Sequence, residues 1–159
     1  MLDTLSILGA EYLFVVIAGI AFLYFLKQPK DEQKRIVIFA VLALPLTYIV
    51  SKIGALLYFD PRPFVVGHFI PLIAHEPDNG FPSDHVLLCA SIAAVISPSS
   101  KYLGLVLLLL TLLVGVSRVH TGIHHAIDII GSLVMALGVA GSVYLMIRAR
   151  WVRKIPTAY

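Results

Sequence analysis

The stretch Ser117-Arg118-Val119-His120-Thr121-Gly122-Ile123-His124-His125-Ala126-Ile127-Asp128 gathers an arginine, three histidines and a carboxylate within twelve positions of a 159-residue chain. His124 and Asp128 are spaced to share one face of a helix. A carboxylate that accepts from one imidazole nitrogen fixes the tautomer and leaves the other nitrogen free to attack an electrophile. Arg118 adds planar, paired donors suited to phosphate oxygens. An isolated pair of this kind also reads as two residues satisfying each other at a helix start. Its place at the edge of an apolar segment, where ionisable groups are costly, favours function.

Two further segments carry compatible chemistry. Phe81-Pro82-Ser83-Asp84-His85 reads as a helix start, with Ser83 at the N-cap position. The free N–H groups of such a first turn attract anions, and His85 is placed to give a proton to a leaving oxygen. A plain cap with a solvated histidine is the alternative for these five residues alone. Upstream, Lys52 lies inside an apolar segment, where an ammonium needs a partner or must snorkel. Arg62 is held stiffly between Pro61 and Pro63, as a fixed anion contact would require.

The elements that must position these groups are membrane helices. Apolar residues make up 59% of the chain and charged residues 13%, against about 25% charged in a soluble domain. Five apolar segments are expected to span: Leu5 to Leu26, Ile36 to Phe59, Ser83 to Ser97, about Tyr102 to Ser117, and about His124 to Ile147. The third and fourth are expected to be short, recessing their outer ends into a funnel. A segment from Asp60 to Pro82, rich in Pro, His, Asp and Gly, separates the second from the third, and loops of that length are usually functional or disordered. The first apolar run has neither a basic n-region nor a small-residue cleavage site, and reads as a retained helix.

Lys27, Lys30, Lys34, Arg35, Lys101, Arg148, Arg150, Arg153 and Lys154 fall on one side of a five-span arrangement. That side is expected to be cytoplasmic, with the N-terminus outside and the C-terminus inside. All six histidines (His68, His75, His85, His120, His124 and His125) collect at the opposite face. A net charge of +3 argues against nucleic acid as a partner. Cys89, among apolar neighbours, is expected to be a buried, inert thiol. Ala136 with Ala140, and Gly138 with Ser142, are expected to allow close helix packing.

Taken together, the three reactive segments resemble the signature of the type 2 phosphatidic acid phosphatase (PAP2) superfamily: Lys-x6-Arg-Pro, Pro-Ser-Gly-His and Ser-Arg-x5-His-x3-Asp. The third part matches throughout from Ser117 to Asp128. The second carries Asp84 where the family has Gly, and the first has nine residues rather than six between Lys52 and Arg62. The resemblance implies an all-α integral membrane domain over residues 1–159 and a lipid phosphate or diphosphate as its partner. By the same resemblance His124 is the nucleophile, Asp128 orients it, and His85 protonates the leaving group. Lys52, Arg62, Arg118, Ser83 and a backbone N–H at Asp84 hold phosphate oxygens, with no metal and no other cofactor. Phe-Pro-Ser-Asp-His, Asp78-Asn79-Gly80 and Pro-Arg-Pro-Phe further resemble the bacterial undecaprenyl diphosphate phosphatase branch, which works at the outer face of the cytoplasmic membrane.

Three other readings stay open at this level. One is a phosphatidylglycerophosphate or phosphatidate phosphatase with the same machinery. The others, of a different class, are a small transporter and a non-catalytic scaffold. Asp60, Glu76, His68, His75, His120 and His125 are expected to be loop or supporting residues, and Glu11 to line the cavity or cap a polar contact. Oligomeric state is not legible.

Overall fold

The computed structural model describes residues 1–152, with side chains through Arg148. Its elements are α1 (Leu2–Glu11), α2 (Leu13–Leu26), α3 (Lys30–Leu57), α4 (Pro63–Val66), α5 (Asp84–Ile96), α6 (Lys101–His120) and α7 (Ala126–Val152). Among the described residues there is no β-strand, only an isolated bridge between Pro61 and Asn79. Among the described residues three helices (α3, α6 and residues 126–148 of α7) are long and apolar enough to cross a membrane, or four where the bent pair α1–α2 is counted as one span.

Helix α5 is the axis of the bundle. It packs against α2, α3, α6 and α7, and eight of its 13 residues are buried. Small side chains make this possible: Cys89, Ala90 and Ala93 let neighbouring backbones approach closely. The outer helices turn large apolar side chains outward, among them Val16, Phe22, Leu42, Ile49, Leu109 and Val134. Such a surface belongs in lipid. Cys89 is buried and unpaired with another cysteine, as expected.

Several boundaries differ from the sequence reading. The first apolar run breaks at Tyr12, and α1 and α2 meet at a 49° bend. Helix α3 starts at Lys30, because Asp31 and Glu32 favour its N-terminal turn. Helix α6 runs 20 residues to His120 instead of stopping near Ser117, so it is about 30 Å long and is not recessed by shortness. Only α5 is short. On α7, Ala136 and Ala140 are buried, but Gly138 faces open space and Ser142 is exposed, so that second small pair does not pack within the bundle.

The basic residues do gather at one end. Arg35 and Arg148 line one cavity with Ser99, and Lys101 starts α6 nearby. The side chain of Arg150, and Arg153 and Lys154 entirely, lie outside the described residues. The turn between α5 and α6 is tight at this end. A Cβ on Gly104 would lie 2.8 Å from the Ser97 Cα, which is backbone and cannot swing away. Gly104→Ala should therefore lower the melting temperature in detergent: overpacking costs about 1–3 kcal/mol, more than the roughly 1 kcal/mol that alanine contributes to helix propensity.

Candidate active site

The loop between α3 and α5 folds back over the other end of the bundle, and one side chain makes four of its hydrogen bonds. Asn79 donates to the carbonyls of Ala55 (3.0 Å) and Tyr58 (3.1 Å), and its Oδ1 accepts from the N–H groups of Asp60 (2.9 Å) and Phe81 (3.0 Å). It thus ties the end of α3 to the segment leading into α5. Farther along, Leu72 N–H donates to Thr121 O at 3.0 Å. The ring of Phe69 lies where a side chain on Gly122 would be, 2.6 Å from an added Cβ, and Gly122 has φ +79°. Only glycine suits that position.

His124 lies at the centre of this assembly, 2% exposed. It precedes α7 rather than sitting on it, so its contact with Asp128 is made by the first helical turn reaching back. Asp128 Oδ2 accepts from His124 Nδ1 at 3.0 Å and from the His125 backbone N–H at 2.9 Å. The carboxylate therefore acts as a cap for the turn and as the imidazole's anchor at once. The other ring nitrogen, Nε2, faces two guanidiniums: Arg62 Nη1 and Arg118 Nη2 each lie 3.3 Å away. Burial first, then the charges of Arg118 and Arg62, hold the His124 imidazole well below its usual pKa, against an opposing contact with Gly80. It is neutral at physiological pH.

Both arginines are buried and separately fixed. Arg62 donates from Nε to Asp78 Oδ1 (2.7 Å) and from Nη1 to Ile123 O (2.8 Å). Arg118, in the last turn of α6, donates from Nη1 to Ala10 O at 3.1 Å. That carbonyl belongs to the last turn of α1, where acceptors lack intrahelical partners and the helix dipole favours a cation. The break at Tyr12 thus serves to position Arg118. Beside it opens a cavity of about 380 Å³, lined by Glu11, Tyr12, His75, His85 and Arg118 among others. Glu11 lines the cavity, one of the two expectations for it. His85 also meets the ring of Phe14 edge-on at 4.8 Å.

Ser83 stands at the N-cap of α5, but its hydroxyl makes no cap bond. It is buried with no hydrogen-bond partner among the described residues, and Ser132 Oγ links its carbonyl to that of Asp128. Lys52 is not brought to His124 by any direct contact described. It pairs with Asp84 at 3.8 Å, half-exposed, and lies over the Tyr48 ring. The substituted carboxylate thus turns toward a neighbouring cation. The three additional residues between Lys52 and Arg62 are absorbed after Leu57, where the chain leaves the helix in an extended conformation at Tyr58, four residues before Arg62.

Sequence spacing shows no carboxylate cluster of metal-ligand type, yet the fold makes a compact one: ligating atoms of Asp60, His125 and Asp128 lie within 4.8 Å of one another. Asp60 comes from a segment 65 residues away from His125. Asp78 and Asn79 were likewise visible only as part of a resemblance, while the clustering of histidines was the one signal toward His75 and His125.

Residues 36–152 match the PAP2 superfamily. The chain belongs to that superfamily. Among curated PAP2 relatives it is similar to undecaprenyl-diphosphatase BcrC of Bacillus subtilis, 32% identical over 86% of this chain and 70% of the relative. It is similar also to the bacitracin transport permease protein BcrC of Bacillus licheniformis, 33% identical over 91% of this chain and 70% of that one. Two solved structures share the fold: Aquifex aeolicus LpxE, with a TM-score of 0.65, 21% identity and coverage of 91% and 83%, and a transmembrane PAP2 type phosphatidylglycerolphosphate phosphatase from Bacillus subtilis, with a TM-score of 0.57, 23% identity and coverage of 93% and 75%. The PAP2 chain described here is accordingly a hydrolase of the phosphatase class.

Proposed function

We propose that the protein hydrolyses undecaprenyl diphosphate to undecaprenyl phosphate and phosphate through a phosphohistidine at His124. The observation that carries this reading is the pairing around one imidazole: Nδ1 is held by buried Asp128 at 3.0 Å, and Nε2 is flanked by two guanidiniums at 3.3 Å. A phosphoryl group at Nε2 would meet donors on two sides, and electrostatic positioning of equatorial oxygens is most of what phosphoryl transfer needs. Nε2 attacks the terminal phosphorus, the bond to the bridging oxygen breaks, and His85 gives its proton to that oxygen. Water then attacks the phosphohistidine, giving a proton back to His85 and releasing phosphate. Ser83 and the first-turn N–H groups of α5 supply further donors. Lys52, paired with Asp84, contributes charge at the rim.

In this reading the chain crosses the cytoplasmic membrane five times, with short α5 as one crossing, the N-terminus outside and the basic end in the cytoplasm. The site then faces outward, and the lipid phosphate enters sideways into the cavity beside Arg118 while its chain stays in the bilayer. The diphosphate assignment leans on the two BcrC relatives and on the Asp84 variant of the motif.

The test is phosphate release by purified protein in EDTA from undecaprenyl diphosphate, phosphatidylglycerophosphate and phosphatidate. Preference for the diphosphate is expected; preference for a monophosphate would overturn the substrate, and no release from any would overturn the reading. Arg118→Lys should cost about 10²-fold in kcat in the same assay, because one ammonium cannot hold Ala10 O and the phosphate together.

A further inference from the structure

Asp128 has one oxygen without an explained partner. Oδ2 serves His124 and His125. Oδ1 is buried and has no hydrogen-bond partner among the described residues, and a carboxylate oxygen left so costs the full desolvation of a charged acceptor. The group that faces Asp128 is Asp60, with a carboxyl oxygen within 4.8 Å of one of Asp128. The Asp60 side chain is 14% exposed and its Oδ2 is 2.9 Å from His125 Nδ1. Two ionised carboxylates so placed repel, whereas one proton between them turns the pair into a donor and an acceptor.

Resting on the phosphatase reading, we propose that Asp60 is a positioning residue that works in its protonated form. Its carboxyl O–H donates to Asp128, and His125 Nδ1–H donates to Asp60 Oδ2. The result is a relay of fixed orientations, His125 to Asp60 to Asp128 to His124, that holds the imidazole aimed between the arginines. Backbone contacts fix Asp60 itself: its N–H donates to Asn79 Oδ1 and its carbonyl accepts from Gly80 N–H at 2.8 Å. Burial first, then the Asp128 charge, raises the Asp60 pKa above the usual carboxylate range, while His125 acts the other way. The same three side chains suit a cation by type. However, Asp128 Oδ2 is already taken by two N–H groups, and His125 stands at hydrogen-bond distance from Asp60, as in a proton network.

The charged and titratable groups around the pair are Asp128 from α7, His124 and His125 from the α6–α7 connection, and Arg62 with its partner Asp78. With rising pH, Asp60 loses its proton, Asp128 Oδ1 loses its donor, and a second negative charge faces the incoming phosphate. The wild-type kcat should thus fall at high pH as Asp60 loses its proton. Asp60→Asn keeps a neutral donor at every pH, so its kcat should stay within about threefold of wild type and lack that fall. Asp60→Ala should lower kcat about tenfold to a hundredfold at near-constant KM, the size of losing one hydrogen bond to a charged group.

The deciding experiment pairs these profiles with infrared difference spectra of the full chain at neutral pH. A protonated-carboxyl band that shifts in heavy water and disappears in Asp60→Asn is the expected result. An unchanged band, an Asn variant as impaired as Ala, or activity lost in EDTA and restored by a divalent cation would overturn the proposal, the last in favour of a metal. If the wild type releases no phosphate, the phosphatase reading fails while the infrared band still decides the shared proton.

Discussion

Replacing His124 with alanine should lower kcat by about 10⁴-fold or more while the protein stays folded. Among the described residues no other has a nitrogen at the meeting point of Arg62 and Arg118, 3.3 Å from each. If His124 only steadied an attacking water, its loss would cost about 10²- to 10⁴-fold, as general-base assistance does. Only a loss beyond that range marks the nucleophile. The variant should still bind inorganic phosphate, because Arg62 keeps Asp78 and Ile123 O as partners and Arg118 keeps Ala10 O. Calorimetric titration with phosphate beside steady-state rates checks both halves.

Asp128→Asn should have the second largest effect, about 10³- to 10⁴-fold in kcat at nearly unchanged size and packing. The amide has one oxygen and one NH2 where Asp128 has two acceptors. If its NH2 faces Nδ1, the imidazole proton moves to Nε2 and points at two cations, and the lone pair needed for attack is lost. If its oxygen faces Nδ1, the geometry survives but the charge that stabilises the developing cation does not. Either way the loss falls on kcat rather than KM. Thermal melts followed by circular dichroism should remain close to wild type, which distinguishes this variant from one that merely unfolds.

How much of this was legible from residues alone depended on distance along the chain. Ser117 to Asp128 is contiguous, so its types and spacing announced an anchored histidine beside an arginine. Even there the local geometry differed, since His124 precedes α7 and Asp128 reaches back from the first turn. Helix existence was legible from apolar runs, but polar ends were not: Lys30–Arg35 extend α3, and Arg118 and His120 lie in the extension of α6, and hydropathy is blind to residues that are helical without being greasy. The break at Tyr12 had no proline or adjacent glycine to mark it. Its reason is tertiary, an Ala10 carbonyl offered to Arg118 across 108 positions. Asp60 was hidden for the same reason, because its partners His125 and Asp128 lie in another segment and no spacing rule joins them. Lys52 shows the converse. Its motif position was visible, but its partner proved to be Asp84, the residue at which the motif departs.

The central claim is a phosphoryl group carried on His124. Turnover of undecaprenyl diphosphate labelled in its terminal phosphate, quenched within a few turnovers and digested under alkaline conditions, tests it most directly. The account predicts label that survives base, is lost in acid, and resides on the peptide containing His124, with none in His124→Ala. Label on another residue, or brisk turnover with no trapped label in either protein, would contradict it.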